Sequence, residues 1–310
     1  MEKSVIKLKR ILSATGWSQE TLAAKLRVSF VTLNSWVNEK SEPRDSAREQ
    51  IDLIYVDVIG ADSIDTIYLK DLKQRALNKK YTSKKLVGNR SLLEKITTSL
   101  TYHNNATEGS TMTEKDVAAV IYDNKVLRNR STIEQREAIN PQAALYFLLD
   151  ELSTKGKDFI ITPDLIKATH LRMMNGIIFD AGYYRNHAVR IRGAYVPLAN
   201  FIKIPELIQN WCNSVNEETE DIIGLLARSH AEFEKIHPFS DGNGRTGRLL
   251  LFALALKFGL VPPILQKEKH LAYYKYLEFA QLREISDPLE AFIAEAILTT
   301  AELIIGTNGN

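Results

Sequence analysis

The chain has 310 residues, with 40 Lys and Arg against 38 Asp and Glu and 45% hydrophobic residues, enough length and apolar content for a substantial core and for two domains. A single cysteine, Cys212, excludes an internal disulfide, and its place beside Trp211 in an apolar helical context marks it as packed rather than reactive. No uninterrupted apolar stretch approaches the ~20 residues of a membrane span and no N-terminal signal pattern is visible, so a cytoplasmic location without membrane association is the expectation.

At the N-terminus, Ser18 caps a helical stretch through Leu26 in which Leu22, Ala23 and Leu26 share one apolar face. The turn Arg27-Val28-Ser29 leads into Phe30 to Val37, and Pro43 opens a further helical stretch from Asp45 to Tyr55. Two short helices joined by a tight turn read as helix-turn-helix. The spacing of Ser18, Gln19, Leu22, Ala23 and Leu26, with Trp36 and Pro43 beyond, resembles the repressor-like (XRE-type) DNA-binding domain. That resemblance implies a module over residues 1–60 whose second helix enters the major groove of DNA. Thr32, Asn34 and Ser35 would then read base edges, with Lys40 and Arg44 near phosphates; a copy used for protein contacts is the alternative. Residues 1–48 carry nine Lys and Arg against five Asp and Glu, which suits the salt-dependent part of nucleic-acid binding.

Residues 61–90 read as a basic linker helix, with Leu69, Leu72, Ala76 and Leu77 at helical spacing and eight Lys and Arg against Asp71 between 70 and 90. Leu93, Ile96 and Leu100 continue a helical pattern, and Val117, Val120 and Ile121 begin another. Between them lies Thr107-Glu108-Gly109-Ser110-Thr111-Met112-Thr113. Further on, Gly182-Tyr183-Tyr184-Arg185 and the run Val189 to Pro197 alternate apolar and basic residues around Gly193, a hairpin pattern. An exposed hairpin edge can pair with an extended segment of a partner without fixing its sequence.

The densest segment is His237-Pro238-Phe239-Ser240-Asp241-Gly242-Asn243-Gly244-Arg245-Thr246-Gly247-Arg248. Ahead of it, Glu218 to Ile236 reads as an amphipathic helix that Pro238 stops, which leaves His237 at a helix end. Behind it, Thr246 to Phe258 is apolar almost all round, as in a helix buried in a core. Gly242, Asn243 and Gly244 therefore start a buried helix, where unpaired N–H groups and the dipole bind anions. Arg245 and Arg248, three apart, add charge-assisted donors for phosphate. Asp241 offers a hard oxygen ligand for Mg2+, and His237 has the pKa range suited to removing a hydroxyl proton.

This segment resembles the Fic family, whose motif HPFx(D/E)GNGRxxR it matches at every fixed position. The resemblance implies a mainly α fold: the helix-turn-helix bundle followed by an all-α Fic core over residues 91–305 that carries a β-hairpin flap. It implies transfer of AMP from ATP, with Mg2+, to a Ser, Thr or Tyr hydroxyl of a protein target, the chain itself included among candidates. His237 would be the base, Asp241 the Mg2+ ligand, Gly242, Asn243 and Gly244 the anion hole, Arg245 the α/β-phosphate contact and Arg248 the γ-phosphate contact. Val189, Ile191 and Gly193 would dock the target along the flap, and Tyr274, in the helix after the motif, would flank the adenine. A related phosphotransferase branch, Doc, carries Lys where this chain has Gly244, which disfavours that reading.

The segment near 93–113 is similar to the inhibitory motif (S/T)xxxE(G/N) that some Fic proteins carry ahead of their core. Glu108-Gly109 fits it, and Asn104 stands where Ser or Thr is usual. Glu108 is then an expected brake, paired with Arg248 and occupying the γ-phosphate position; a turn glutamate between two helices is the plain alternative. Pairing of two chains through the Fic core would give a homodimer. Two other functions fit the same residues: a DNA-binding regulator tuned by its Fic core, and an enzyme that removes AMP rather than adding it.

Overall fold

The computed structural model describes residues 4–59, 64–190 and 196–305, without the side chains of residues 56, 57 and 59. These residues form fifteen α-helices joined by loops and short 3-10 turns, with no strand among them. None of the helices described is long and apolar enough to cross a membrane.

Four helices make the N-terminal bundle: α1 (Ser4–Thr15), α2 (Gln19–Lys25), α3 (Phe30–Val37) and α4 (Asp45–Ile59). Ser18 and Ser29 start α2 and α3 by accepting the Thr21 and Thr32 N–H groups on their hydroxyls, the usual satisfaction of a first-turn donor. Leu8, Ile11, Leu22, Leu33, Trp36 and Ile51 fill a core distinct from that of the rest of the chain. Helix α1, absent from the sequence reading, lies along α4, with Lys7 Nζ bonded to Asp52 at 2.9 Å.

The stretch expected as one linker helix is two helices, α5 (Thr66–Leu77) and α6 (Ser83–Val87). Between them the backbone bridges to the far side of the core: Tyr81 N–H donates to Gly259 O at 2.9 Å and Val261 N–H to Lys79 O at 2.8 Å. Leu69, Leu72, Ala76 and Leu86 belong to the main core, and α5 packs on the last helix. The basic residues occupy the solvent side of an element whose apolar face is buried.

The main core is built by α7 (Arg90–Thr107), α8 (Glu114–Tyr122), α9 (Thr132–Lys155), α10 (Pro163–Met174), α11 (Ile204–Asn216), α12 (Ile222–Ile236), α13 (Asn243–Lys257), α14 (His270–Arg283) and α15 (Asp287–Ile305). Helix α13 is its axis: the side chains from Arg245 to Leu256 are all buried, enclosed by α7, α9, α10 and α12. Helix α12 starts at Ile222 rather than Glu218, because Asp221 accepts the Gly224 N–H at 3.1 Å and fixes the first turn there. Cys212 is buried, and burial raises its thiol pKa to about 12.

In the expected hairpin flap, Ile191 and Gly193 lie outside the described residues. The flanks, 183–190 and 196–200, form no strand, and Val189 is a half-buried loop residue.

Candidate active site

The loop from His237 to Gly242 is held by side chains from three directions. His237 ends α12 in the left-handed region, at φ 51° and ψ 63°, with its N–H bonded to Phe233 O at 3.0 Å. A non-glycine residue holds this uncommon conformation where the surroundings enforce it. Arg185 enforces it here. Its buried guanidinium donates to His237 O at 2.7 Å, Ala199 O at 2.7 Å and His187 O at 2.8 Å. Asn243 closes the loop by accepting Phe239 N–H and donating to Phe239 O, both at 2.8 Å. From below, His170 stacks on Phe239 with ring centroids 3.6 Å apart. Because Gly182 N–H donates to His170 Nδ1, the other ring nitrogen carries the proton given to Asp241 O at 2.9 Å.

The same logic fixes the tautomer of His237. Its Nδ1 lies 3.2 Å from Glu234 O, and a carbonyl only accepts, so Nδ1 bears the hydrogen and Nε2 keeps its lone pair. Burial lowers the pKa of this imidazole to about 4, which keeps it neutral at physiological pH. Glu234, one turn back on α12, is buried with its Oε1 unpartnered among the described residues, and burial raises its pKa to about 7.

Gly242, at φ 75°, initiates α13 with no side chain capping the first turn. Gly242 N–H is taken by Asp241 Oδ1 at 2.6 Å, and the donors that follow it in the first turn suit an anion. A Cβ at Gly242 would lie 2.5 Å from Met174 Sδ, and one at Gly244 would lie 2.4 Å from Glu108 Oε1. Gly242 is required by its positive φ, whereas at Gly244 the close atom is the movable end of the Glu108 side chain, which any side chain there would displace. Arg245 is 5% exposed, its Nη1 donating to Glu137 Oε1 at 2.7 Å and its Nη2 3.6 Å from Asp241 Oδ2. The Asp241 side chain, the single carboxylate of the loop, is 62% exposed.

Arg248 lies 3% exposed in the second turn of α13. Its Nη2 donates to Glu108 Oε1 at 2.5 Å and to Asn104 O at 3.2 Å, and its Nε donates to Asn104 Oδ1 at 2.6 Å. Asn104 Nδ2 in turn reaches Arg245 O at 3.2 Å. Glu108 is the residue that ends α7, which brings the inhibitory segment of the sequence reading onto the motif. Burial opposes ionisation of Glu108, but the charge and hydrogen bond of Arg248, with the Arg245 charge beside them, together hold the carboxyl below its usual range. Burial likewise works against the Arg248 charge, and Glu108, Tyr273 and Glu234 together raise its pKa in spite of it. Asn104, where Ser or Thr is usual, is thus a second partner of Arg248.

His237, Gly244, Arg248, Glu108 and Glu234 line one cleft with Tyr273, Tyr274, Leu277 and Gln281 of α14, Val196 and Leu53. The Tyr273 ring centroid is 5.9 Å from the Arg248 guanidinium, and its hydroxyl pairs with His230 Nε2 at 2.8 Å. Tyr274, 41% exposed, donates to Thr107 O at 3.2 Å. The structure therefore gathers His237, the glycine turn, both arginines, Asp241, Tyr274 and Glu108 at one place. Thr32, Asn34, Ser35 and Arg44 lie elsewhere, on the N-terminal bundle. Sequence reading missed Asn104, Glu137, Arg185 as a brace, His170 and Leu53. Each acts from a distant part of the chain, and only Asn104 carried a signal, as a departure within a motif.

The sequence pattern of the Fic/DOC family matches residues 160–255. Protein adenylyltransferase fic-1 of Caenorhabditis elegans is 31% identical over 207 residues, covering 66% of this chain and 40% of that protein. Protein adenylyltransferase Fic of Nematostella vectensis is 31% identical over 208 residues, covering 66% and 48%. The chain thus spans less than half the length of these curated relatives. Among solved structures, Fic-1 of C. elegans superposes with a TM-score of 0.66 at 24% identity, covering 97% of this chain and 91% of that one. A Fic domain containing signaling protein from Bacteroides thetaiotaomicron superposes with a TM-score of 0.62 at 18% identity, covering 76% and 95%. At such identities these superpositions establish the all-α fold. With the motif at its end and the fold around it, the segment 160–255 is a Fic/DOC-family domain.

Proposed function

We propose that the chain is a protein adenylyltransferase that moves AMP from ATP to a hydroxyl of a protein target, restrained by its own Glu108. The observation that carries this reading is the joint placement of a neutral His237 with a free Nε2, an uncapped glycine-rich helix start and the buried Arg248 around one cleft. His237 Nε2 takes the proton of the target hydroxyl as that oxygen bonds to the α-phosphorus. The bond from the α-phosphorus to the bridging oxygen breaks, and pyrophosphate leaves with that electron pair. Backbone N–H groups at the start of α13 face the charge that grows on the phosphate oxygens, a preorganised form of stabilisation. The open Asp241 carboxylate fits Mg2+, which needs one or two protein oxygens and retains waters; when bound, the ion neutralises phosphate charge. Arg245 is held against Glu137 and Asp241, so it steadies the metal-binding carboxylate as well as facing phosphate. Glu108 accepts the Nη2 donor of Arg248 that a γ-phosphate would use and lies against Gly244, so ATP that enters meets a carboxylate in place of its γ-phosphate seat.

The test follows the transferred group. Purified protein incubated with Mg2+ and ATP labelled at the α-phosphate should retain label, while ATP labelled at the γ-phosphate should leave none. Label retained from the γ-position would instead mean phosphotransfer and overturn the reading, and AMP released from a pre-modified target without net labelling would favour removal over addition.

A second activity is favoured by the N-terminal bundle, for which we propose DNA binding through α3. Phe30 and Val31 are 43% and 75% exposed, Arg44 is exposed, and Thr32, Asn34 and Ser35 sit on the same short helix. Asn34 Nδ2 is bonded to Gln19 at 3.1 Å and Ser35 to Ser41 at 2.7 Å, so base contact by these two would exchange intramolecular bonds for bonds to DNA. Binding to duplex DNA should weaken steeply with salt. Arg44→Ala should reduce affinity and salt slope together, measured by fluorescence anisotropy at several ionic strengths. Affinity independent of salt would remove DNA from the proposal.

A further inference from the structure

Helix α14 brings Tyr273 and Tyr274 into the cleft, yet its own N-terminus has no local cap: Lys269, at the N-cap position, makes no side-chain bond to the first turn. The acceptor comes from another part of the chain. Glu49 of α4, with a side chain 11% exposed, accepts the Leu271 N–H on Oε1 at 3.1 Å. A carboxylate at a helix start satisfies an orphan donor and complements the positive end of the dipole. Four residues later on the same face of α4, Leu53 lines the cleft that also contains His237, Gly244, Arg248 and Glu108. One turn into α14, the Tyr274 hydroxyl bonds Thr107 O, the residue before Glu108. A continuous set of contacts therefore runs from α4 through the start of α14 to the end of α7, and the cleft has a wall that belongs to the N-terminal bundle.

We propose that the N-terminal bundle is a working part of the nucleotide site, with Leu53 contacting bound ATP and Glu49 positioning the helix that presents Tyr273 and Tyr274. This rests on the adenylyltransferase reading only in taking ATP as the occupant of the cleft. Leu53 is a nucleotide contact supplied from outside the Fic domain, and Glu49 acts through α14. Because binding energies are reciprocal, whatever grips the bundle in its seat changes ATP affinity by the same factor by which ATP changes that grip.

Titration calorimetry of Mg-ATP into the full chain carrying Glu108→Gly, which leaves Arg248 available, tests the proposal. Leu53→Glu should weaken binding by about tenfold or more, since it sets a carboxylate beside a ligand that stays anionic with its metal bound, whereas Leu53→Lys should bind as tightly as the parent or more tightly. Loss of packing alone would affect both substitutions alike. Glu49→Ala should weaken binding by about threefold to tenfold through loss of the cap, and Glu49→Gln, which keeps the acceptor oxygen, should restore most of it. Equal affinities for the two Leu53 variants, whether both unchanged or both reduced, would overturn the contact; an unaltered Glu49→Ala would overturn the positioning role. A parent that binds no Mg-ATP would overturn the reading on which the proposal rests, an outcome distinct from either.

Discussion

Replacing His237 by Ala should lower label transfer from α-labelled ATP by about 10²- to 10⁴-fold, the range for removal of a general base, while Mg-ATP affinity stays near that of the parent. The two readouts separate because the proposed phosphate contacts come from the start of α13 and from Arg248, not from the imidazole. The fold should survive: Arg185 holds the carbonyls of Ile236, His237 and Ala199, all backbone groups that the substitution leaves in place. The left-handed backbone at His237 is no more strained for Ala than for His in kind, so a modest drop in melting temperature is the expected cost. The pH dependence gives an independent check. With burial lowering the His237 pKa to about 4, the free enzyme keeps its base deprotonated as the pH falls from 7 to 5. The rate at low ATP should therefore lack an acid limb near the ordinary histidine pKa, and one centred at 6.5 would contradict the burial seen here. A variant that loses ATP binding along with transfer would show that His237 organises the loop rather than accepting a proton.

Replacing Glu108 by Gly should raise label transfer by about ten- to a hundredfold, the equivalent of one charge-assisted hydrogen bond of roughly 1.5–3 kcal/mol returned from an internal partner to the γ-phosphate. Two features make the direction firm. Glu108 already terminates α7, where glycine is well tolerated, and Asn104 continues to hold Arg248 through its Nε at 2.6 Å, so the arginine remains aimed when its carboxylate partner is gone. The same substitution leaves a buried guanidinium short of one counter-charge, which costs stability. Without nucleotide the variant should melt below the parent, and Mg-ATP should recover the difference by binding the native state. Arg248→Ala in the Glu108→Gly background should remove most of the gain in transfer. If Glu108→Gly left transfer unchanged, Glu108 would be only a helix-ending residue that happens to pair with Arg248.

The part of the site legible in the sequence is the part that is contiguous. From His237 to Arg248 one short segment holds base, carboxylate, glycine turn and arginines, and the all-round apolar run behind it foretold the buried helix α13. What the sequence concealed is carried by residues whose role depends on distant partners. Glu137 meets Arg245 across 108 positions, and Arg185 meets the loop's carbonyls across about 50. Nothing in their local sequence distinguishes these from surface charges. Asn104 was visible only as a mismatch, and geometry turns the mismatch into a function, because its amide offers both an acceptor to Arg248 and a donor to Arg245 O. Periodicity placed 61–90 in a helix but could not say what the apolar face of that helix covers, so a core element read as a linker. The start of α12 moved four residues because Glu218 to Asp221 hold no apolar residue to bury, and Asp221 caps the helix at Ile222.

Gly244 carries a consequence beyond its own turn. Any side chain at this position would need the space that the Glu108 carboxylate fills, since even a methyl group would lie 2.4 Å from Glu108 Oε1 and 3.0 Å from Arg248 Nη1. The restraint and the glycine are thus a lock and its keyhole cut to one another. A descendant of this chain that gained a longer residue there, as in the branch with lysine, would evict the glutamate in the same step. The proposed restraint by Glu108 needs position 244 to stay bare, and a single codon change there would alter both the shape of the cleft and the seat of that glutamate.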